Sequence, residues 1–141
     1  MTKLLTTFAL IGVSIVPILQ DTGITHLLNP VWDAHARTHL VWMMASNFLI
    51  FLLAIYVLWF KNMELLAALL SLCMLIGYDI SAVTMPLYEG VPLGEGGVEP
   101  KPFGIPINLL FFNMMLVIQI ISTSLISVSY THLTLPTIYS V

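Results

Sequence analysis

The sequence predicts an all-α fold, an up-down bundle of four transmembrane helices in an integral membrane protein. Three observations support this prediction: 59% of the residues are hydrophobic and 8% are charged, the mean hydropathy is +1.01, and four apolar stretches approach membrane-spanning length. Soluble domains carry roughly a quarter of their residues as charges, because their surface is solvated by water. A chain with about a third of that share must turn most of its surface towards lipid.

Length, charge and cysteine content narrow the class further. The 141 residues allow one domain. The net charge of −3 and the lack of a basic patch argue against a nucleic-acid partner. The single cysteine, Cys73, rules out a disulfide within one chain, and we interpret it as a small buried hydrophobe because it lies in an apolar run.

Four apolar stretches are predicted to span the bilayer, since about 20 helical residues cross roughly 30 Å of hydrocarbon. The first follows Lys3, where a signal peptide is the alternative, but no small-residue cleavage site follows it, which favours a retained helix. The short turn 61–63 predicts that the second and third helices form an antiparallel hairpin. The transmembrane domain is predicted over residues 1–127, with helices at about 4–24, 38–60, 64–85 and 105–127.

Alternation of the helices places the N terminus and the Lys61 turn on one side and the two longer loops on the other. Positive charge selects no orientation, because Lys3 and Lys61 mark the first side while Arg37 and Lys101 mark the second. The loop 87–104 has the length of a functional lid. We interpret it as a cap over the histidine-bearing face or as a contact surface for a partner.

Residues 128–141 are predicted to be a non-native tail. They resemble a segment that recurs on unrelated environmental reading frames and is similar to translated sequencing-adapter DNA. The resemblance implies that the natural chain continues differently after about Ser127 and that His132 has no functional meaning. It also implies a metagenomic source, so we expect a multi-pass protein of a microbial cytoplasmic membrane.

The densest polar segment lies between the first two predicted helices and runs into the second. It contains three of the four histidines, His26, His35 and His39, together with Asp33 and Arg37. Asp33 is well placed to cap the second helix. His35 and His39 are four residues apart, so both project from one helical face. Two neutral imidazoles at this spacing can share a metal ion, and a neighbouring methionine favours copper; structural hydrogen bonding and proton or substrate handling are the alternatives.

Asp79 is a carboxylate inside the third predicted helix. At that depth an ionised and unpaired carboxylate costs several kcal/mol, so it must face the bundle, pair, or stay protonated. Arg37 or a histidine is the expected partner, and a hydrogen bond between two helices is the alternative. Asn47 continues the face of His35 and His39 by steps of four, so this face is expected to run from the interface towards the membrane interior.

The polar segment also resembles a known family. Its pattern His-Leu-Leu-Asn-Pro-x-Trp-x-x-His-Ala-Arg-x-His over residues 26–39 is similar to that of small four-helix integral membrane proteins without an assigned activity. The resemblance extends over residues 1–127. It implies the fold and the membrane location only.

The leading hypothesis is a polar His/Asp pocket near one membrane face that binds a small amphiphile. The side chains expected to line this pocket are His26, His35, His39 and Asp79. The full set of predicted ligand-binding residues is His26, Asp33, Arg37, Asn47 and Asp79.

Two other hypotheses remain open. In a metal-dependent membrane oxidoreductase or isomerase, the catalytic candidates are His35, His39 and Asp79. The two histidines would bind a metal or shuttle protons, and Asp79 would act as the acid-base partner. Alternatively, the chain is an oligomer or an accessory subunit whose apolar faces pack against a larger membrane complex. The lipid bilayer is the expected partner in every case, and the cofactor stays open.

Overall fold

Four long helices form an up-down bundle. The computed structural model describes residues 1–90 and 100–134, with side chains through residue 129, and no strand occurs in these ranges. Each long helix is long and apolar enough to cross a membrane. The all-α prediction is therefore confirmed. The elements are α1 (Thr2–Asp21), α2 (Ala34–Trp59), α3 (Glu64–Thr84) and α4 (Ile107–Thr134), with short 3-10 turns at Met85–Leu87 and Pro102–Gly104.

The start of α2 differs from the prediction and has a local cause. The helix begins at Ala34 rather than near residue 38. The side chain of Asp33 accepts a hydrogen bond of 2.7 Å from the backbone N–H of His35. This bond satisfies one of the unpaired amides of the first turn, so the predicted cap at Asp33 is confirmed.

The limits of α1 and α4 also differ from the prediction. α1 ends at Asp21 rather than at residue 24, because the backbone N–H of Leu27 turns back to donate to the Asp21 carbonyl. α4 begins at Ile107, two residues later than expected, and continues to Thr134. It therefore includes the first part of the segment 128–141, whose non-native origin stays a prediction.

Two predicted segments extend outside the described residues. They are 91–99 of the predicted lid loop and 135–141 of the predicted tail.

Polar contacts at the start of α1 establish the antiparallel order. Thr2 donates from Oγ1 to Oε2 of Glu64 at 2.6 Å, and Lys3 donates from Nζ to Oδ1 of Asn62 at 2.5 Å. The start of α1 therefore lies beside the turn 60–63, as the alternation of helices predicts. We call this the turn end of the bundle, and the opposite end, which carries residues 22–33, the loop end.

Most of the buried core lies towards the turn end of the bundle. Buried residues of α1 extend no further than Ser14, those of α3 no further than Leu75, and those of α4 begin at Met115. Small residues such as Ala67 and Ala68 are fully buried there, which allows helix backbones to approach closely. Beyond these positions, towards the loop end, the same three helices bury no residue, and space remains between them.

Close contact between α1 and α4 depends on a glycine. A Cβ added to Gly12 would lie 2.6 Å from the Sδ of Met115, which is buried. Next to it, a buried polar cluster joins the same two helices: Thr6 and Ser122 share a hydrogen bond of 2.9 Å between their hydroxyls, and Ser122 donates to the carbonyl of Thr2 at 3.0 Å. These contacts hold α1 and α4 together on the turn side of the bundle.

Candidate functional site

A cavity of about 600 Å³ opens between the four helices in the loop-end half. Its volume lies within the range of pockets that bind small organic ligands. All four helices and the loop after α1 contribute to it. Its described wall consists of Val13, Pro17, Gln20, Asp21, His26, Met43, Asn47, Ile50, Leu70, Cys73, Met74, Gly77, Tyr78, Ser81, Asn108 and Phe112.

The wall changes character along its length. Val13, Ile50 and Leu70 line the deep end together with one amide, Asn47, whose backbone carbonyl accepts from the Ser14 hydroxyl beside Val13. Asp21 and His26 lie at the mouth, where α1 gives way to the loop. Val13 and Asp21 are separated by about 12 Å along α1, at a rise of 1.5 Å per residue. The cavity is therefore an elongated slot with an ionisable pair at one end and, at the other, aliphatic side chains and the single amide of Asn47.

The ionisable pair at the mouth is held by its neighbours. Oδ1 of Asp21 lies 3.7 Å from Nδ1 of His26, and the two side chains are 24% and 33% exposed. The same Nδ1 lies 3.0 Å from Oγ1 of Thr25, and the imidazole packs edge-on against Trp32 with ring centroids 5.6 Å apart. Thr25 and Trp32 thus orient the imidazole, while Asp21 faces it without a direct hydrogen bond.

The cavity contains only part of the predicted ligand-binding set. His26 and Asn47 line it. Asp33 caps α2 instead, and Arg37 donates from Nη2 to the carbonyl of Asn29 at 2.6 Å. Both residues hold the loop and the start of α2 in place, and neither belongs to the described wall.

Arg37 lines a second, more open depression on the outer surface. Its other described residues are Leu27, Thr38, Val41 and Trp42, and its volume is about 450 Å³. Trp42 is two-thirds exposed. This depression is therefore separate from the cavity between the helices.

Asp79 lies at the contact between α3 and α4. Asn113 donates from Nδ2 to Oδ1 of Asp79 at 3.3 Å. Successive residues of a helix turn by about 100°, so Asp79 is rotated away from the direction in which Tyr78 faces the cavity. The expected meeting of Asp79 with Arg37 or with the histidines is not observed, and the catalytic or ligand-binding role of Asp79 stays a prediction.

His35 and His39 lie on the exposed outer surface of α2, outside the described wall of the cavity. Their Nε2 atoms are 3.0 Å apart, and their rings meet edge-on with centroids 4.5 Å apart. Within the described residues, no group of three or more His, Cys, Asp or Glu side chains is arranged to hold a metal ion. The pair can supply two metal ligands, and metal binding stays a prediction.

The face predicted to run from His35 to Asn47 does not stay on one side of α2. Each step of four residues advances by about 40° around a helix of 3.6 residues per turn. After three steps, Asn47 lies about 120° from His35. With this drift, Met43 and Asn47 line the cavity while both histidines remain outside it.

Sequence reasoning did not select several wall residues. One of them, Asp21, could have been selected from the sequence. It is a carboxylate at the end of the first apolar stretch, and it precedes His26 by little more than one helical turn. Cys73 was expected to be buried, but it is exposed and lines the cavity. The apolar residues around Cys73 in the sequence did not indicate that the helices are separated by a cavity at its position along α3.

Comparisons with models of protein families, with curated proteins and with solved structures found no match to this chain. Any function assigned to the site therefore depends on the geometry of its own residues.

Proposed function

We propose that the chain is a multi-pass membrane protein that binds a small amphiphile in the cavity at the loop end. The observation that carries the proposal is the graded wall, which is mostly aliphatic at the deep end, where Asn47 is the one amide, and ionisable at Asp21 and His26. Ligand pockets combine a predominantly apolar wall with a few polar groups that orient the ligand. An elongated slot of this kind matches a molecule with one polar end.

The outer surfaces of the helices support a membrane location. Leu49 and Leu53 of α2, Val83 of α3 and Val117 of α4 are each more than half exposed. A helix that is apolar on its outer as well as its inner side is typical of a membrane span. The microbial cytoplasmic membrane is proposed on the resemblance of the tail alone.

The placement of the cavity within a bilayer follows from the ends of the helices. α1 ends at Asp21 and α2 begins at Ala34, so the mouth lies near the headgroup level if both helices span the hydrocarbon. The deep end then lies about 12 Å inside, close to the middle of a hydrocarbon layer about 30 Å thick. The cavity would therefore span roughly one leaflet, and a ligand would enter with the same orientation as the surrounding lipids.

The single cysteine of the chain provides the test, because Cys73 lies in the cavity wall and is exposed. The rate of alkylation by N-ethylmaleimide, followed by intact mass in nanodiscs, reports directly on access to the cavity. An amphiphile that occupies the cavity should slow alkylation about tenfold at a concentration about ten times its Kd. No protection by any member of a chain-length series would refute the proposal.

A cavity-filling variant supplies the matched control. A Cβ at Gly77 would meet no atom within 4 Å, so Gly77→Leu can fill the cavity without a clash at its Cβ. We expect this variant to fold and to show the same alkylation rate with and without amphiphile. Thr6→Val, which removes a hydroxyl from the polar cluster in the other half, should retain full protection.

A further inference from the structure

The carboxylate of Asp21 lacks hydrogen-bond donors. No described residue donates to its side chain, although three-quarters of that side chain is buried. The distance of 3.7 Å from its Oδ1 to Nδ1 of His26 exceeds the range of an N–H···O hydrogen bond. An ionised carboxylate has about four acceptor sites, and the Asp21 oxygens are not among the fully buried side-chain atoms without a partner. These acceptor sites are therefore accessible to a ligand in the cavity.

His26 does not occupy these acceptor sites. Its Nδ1 lies 3.0 Å from Oγ1 of Thr25, which is closer than Asp21. Whether Nδ1 accepts from the hydroxyl or donates to it, its hydrogen bond is directed towards Thr25. The imidazole limits the space at the mouth but supplies no direct donor to the carboxylate.

The charges around the mouth favour a cation. The described wall contains no lysine or arginine, and Asp21 is its single carboxylate. The single arginine of the sequence, Arg37, donates to the carbonyl of Asn29 and lines the other depression. An anionic head, such as a carboxylate or a phosphate, would meet a like charge here, and the one described wall residue that can carry a compensating charge is His26, which already faces Asp21 at 3.7 Å. A cationic head would supply both the missing charge and the missing donors.

We propose that the ligand is a cationic amphiphile whose protonated primary amine pairs with the carboxylate of Asp21 at the cavity mouth while its apolar body occupies the slot. This inference rests on the proposed function of the cavity. A primary ammonium has three donors, which match the unfilled acceptor sites of the carboxylate. A hydroxyl head supplies one donor and no charge, so it completes the site only in part.

A series of three ligands with the same chain tests this inference. Decylamine, decan-1-ol and decanoate have chains that match the length of the slot and differ only in the head, and each is titrated against alkylation of Cys73 in phosphatidylcholine nanodiscs. We expect half-maximal protection by the amine at a concentration about tenfold below that of the alcohol, because hydrogen bonds to charged groups are the stronger ones. The carboxylate should be the weakest of the three.

Two matched variants separate Asp21 from general effects of surface charge. Asp21→Asn keeps the shape and removes the charge, so the amine and the alcohol should then protect at similar concentrations. Asp33→Asn removes a charge outside the cavity and keeps a capping side chain, so the preference for the amine should remain. Because the nanodiscs are the same, partitioning of the amine into lipid is common to all the proteins. If Asp21→Asn does not fold, Asp21→Glu replaces it and should retain the preference.

The outcomes distinguish this inference from the proposed function. Protection by the alcohol or the carboxylate at concentrations equal to or below that of the amine would overturn the inference and leave the amphiphile site standing. A preference for the amine that survives in Asp21→Asn would also overturn it. Absence of protection by all three molecules would refute the proposed function itself.

Discussion

The Nε2 atoms of His35 and His39 lie 3.0 Å apart on the outer surface of α2. The pair is separated from the cavity, which α2 lines with Met43, Asn47 and Ile50 instead. In the described part of the chain, no third metal-ligating side chain joins a group with the two imidazoles. The cavity and the histidine pair are therefore two distinct features that mutations can separate.

Added Cu²⁺ or Zn²⁺ is expected to bind the histidine pair and to exchange readily, because structural metal sites use four protein ligands and catalytic zinc sites use three. Isothermal titration should detect binding to the wild type and none to the double variant His35→Ala/His39→Ala. EDTA should leave the thermal unfolding temperature unchanged. One equivalent of metal that survives dialysis against EDTA and disappears in the double variant would instead favour the metal-dependent enzyme.

Alanine at the two helical glycines should have opposite effects on stability. Gly12→Ala places its Cβ 2.6 Å from the Sδ of Met115, so we expect a loss of about 1 kcal/mol from overpacking after the gain in helix propensity is included. Gly77→Ala meets no atom within 4 Å and should be neutral or stabilising by up to about 1 kcal/mol. Equilibrium unfolding in detergent measures both. Equal destabilisation by the two variants would contradict the close approach of α1 and α4 at Gly12.

Asp79→Ala should reduce stability without affecting ligand protection of Cys73. The substitution removes the hydrogen bond from Asn113, and such bonds between membrane helices contribute about 0.6 kcal/mol on average. A double-mutant cycle with Asn113→Ala, measured by unfolding in detergent, should give a coupling free energy of this size. A variant of unchanged stability in which amphiphiles no longer protect Cys73 would place Asp79 in the ligand site instead.

Asp33→Ala should destabilise the protein by about 1 kcal/mol, because the side chain of Asp33 accepts from the backbone N–H of His35 in the first turn of α2. Asp33→Asn retains the acceptor and should change the free energy of unfolding by only a few tenths of a kcal/mol. Unfolding in detergent compares the two. A loss in Asp33→Asn equal to that in Asp33→Ala would show that the charge, and not the cap, is responsible.

Local features of the fold were predictable because their causes lie within a few residues of sequence. The cap at Asp33 and the short turn at 61–63 were both identified in advance and are both observed. Helix limits were less predictable, as the early start of α2 at Ala34 and the late start of α4 at Ile107 show. Hydropathy detects the apolar part of a helix, whereas polar end turns depend on backbone hydrogen bonds.

The candidate site was only partly predictable. His26 and Asn47 were selected and line the cavity, whereas Asp79 was selected and contacts Asn113 instead. Asp21 was not selected, although it provides the carboxylate at the mouth. Residue type indicated that polar groups in this region are unusual, but it did not indicate which of them face one another.

The sequence by itself determined an all-α chain with four helices apolar enough to cross a membrane, because hydrophobic content and helical length are properties of each segment alone. The tertiary structure decided where the cavity lies and which residues enter it. Small residues such as Ala67 and Ala68 pack the helices closely at the turn end, while α1 beyond Ser14, α3 beyond Leu75 and α4 before Met115 bury no residue. The rotation of each helix then turns Asp21 and Tyr78 inwards and Asp79 towards α4, and these rotations depend on contacts between segments distant in sequence.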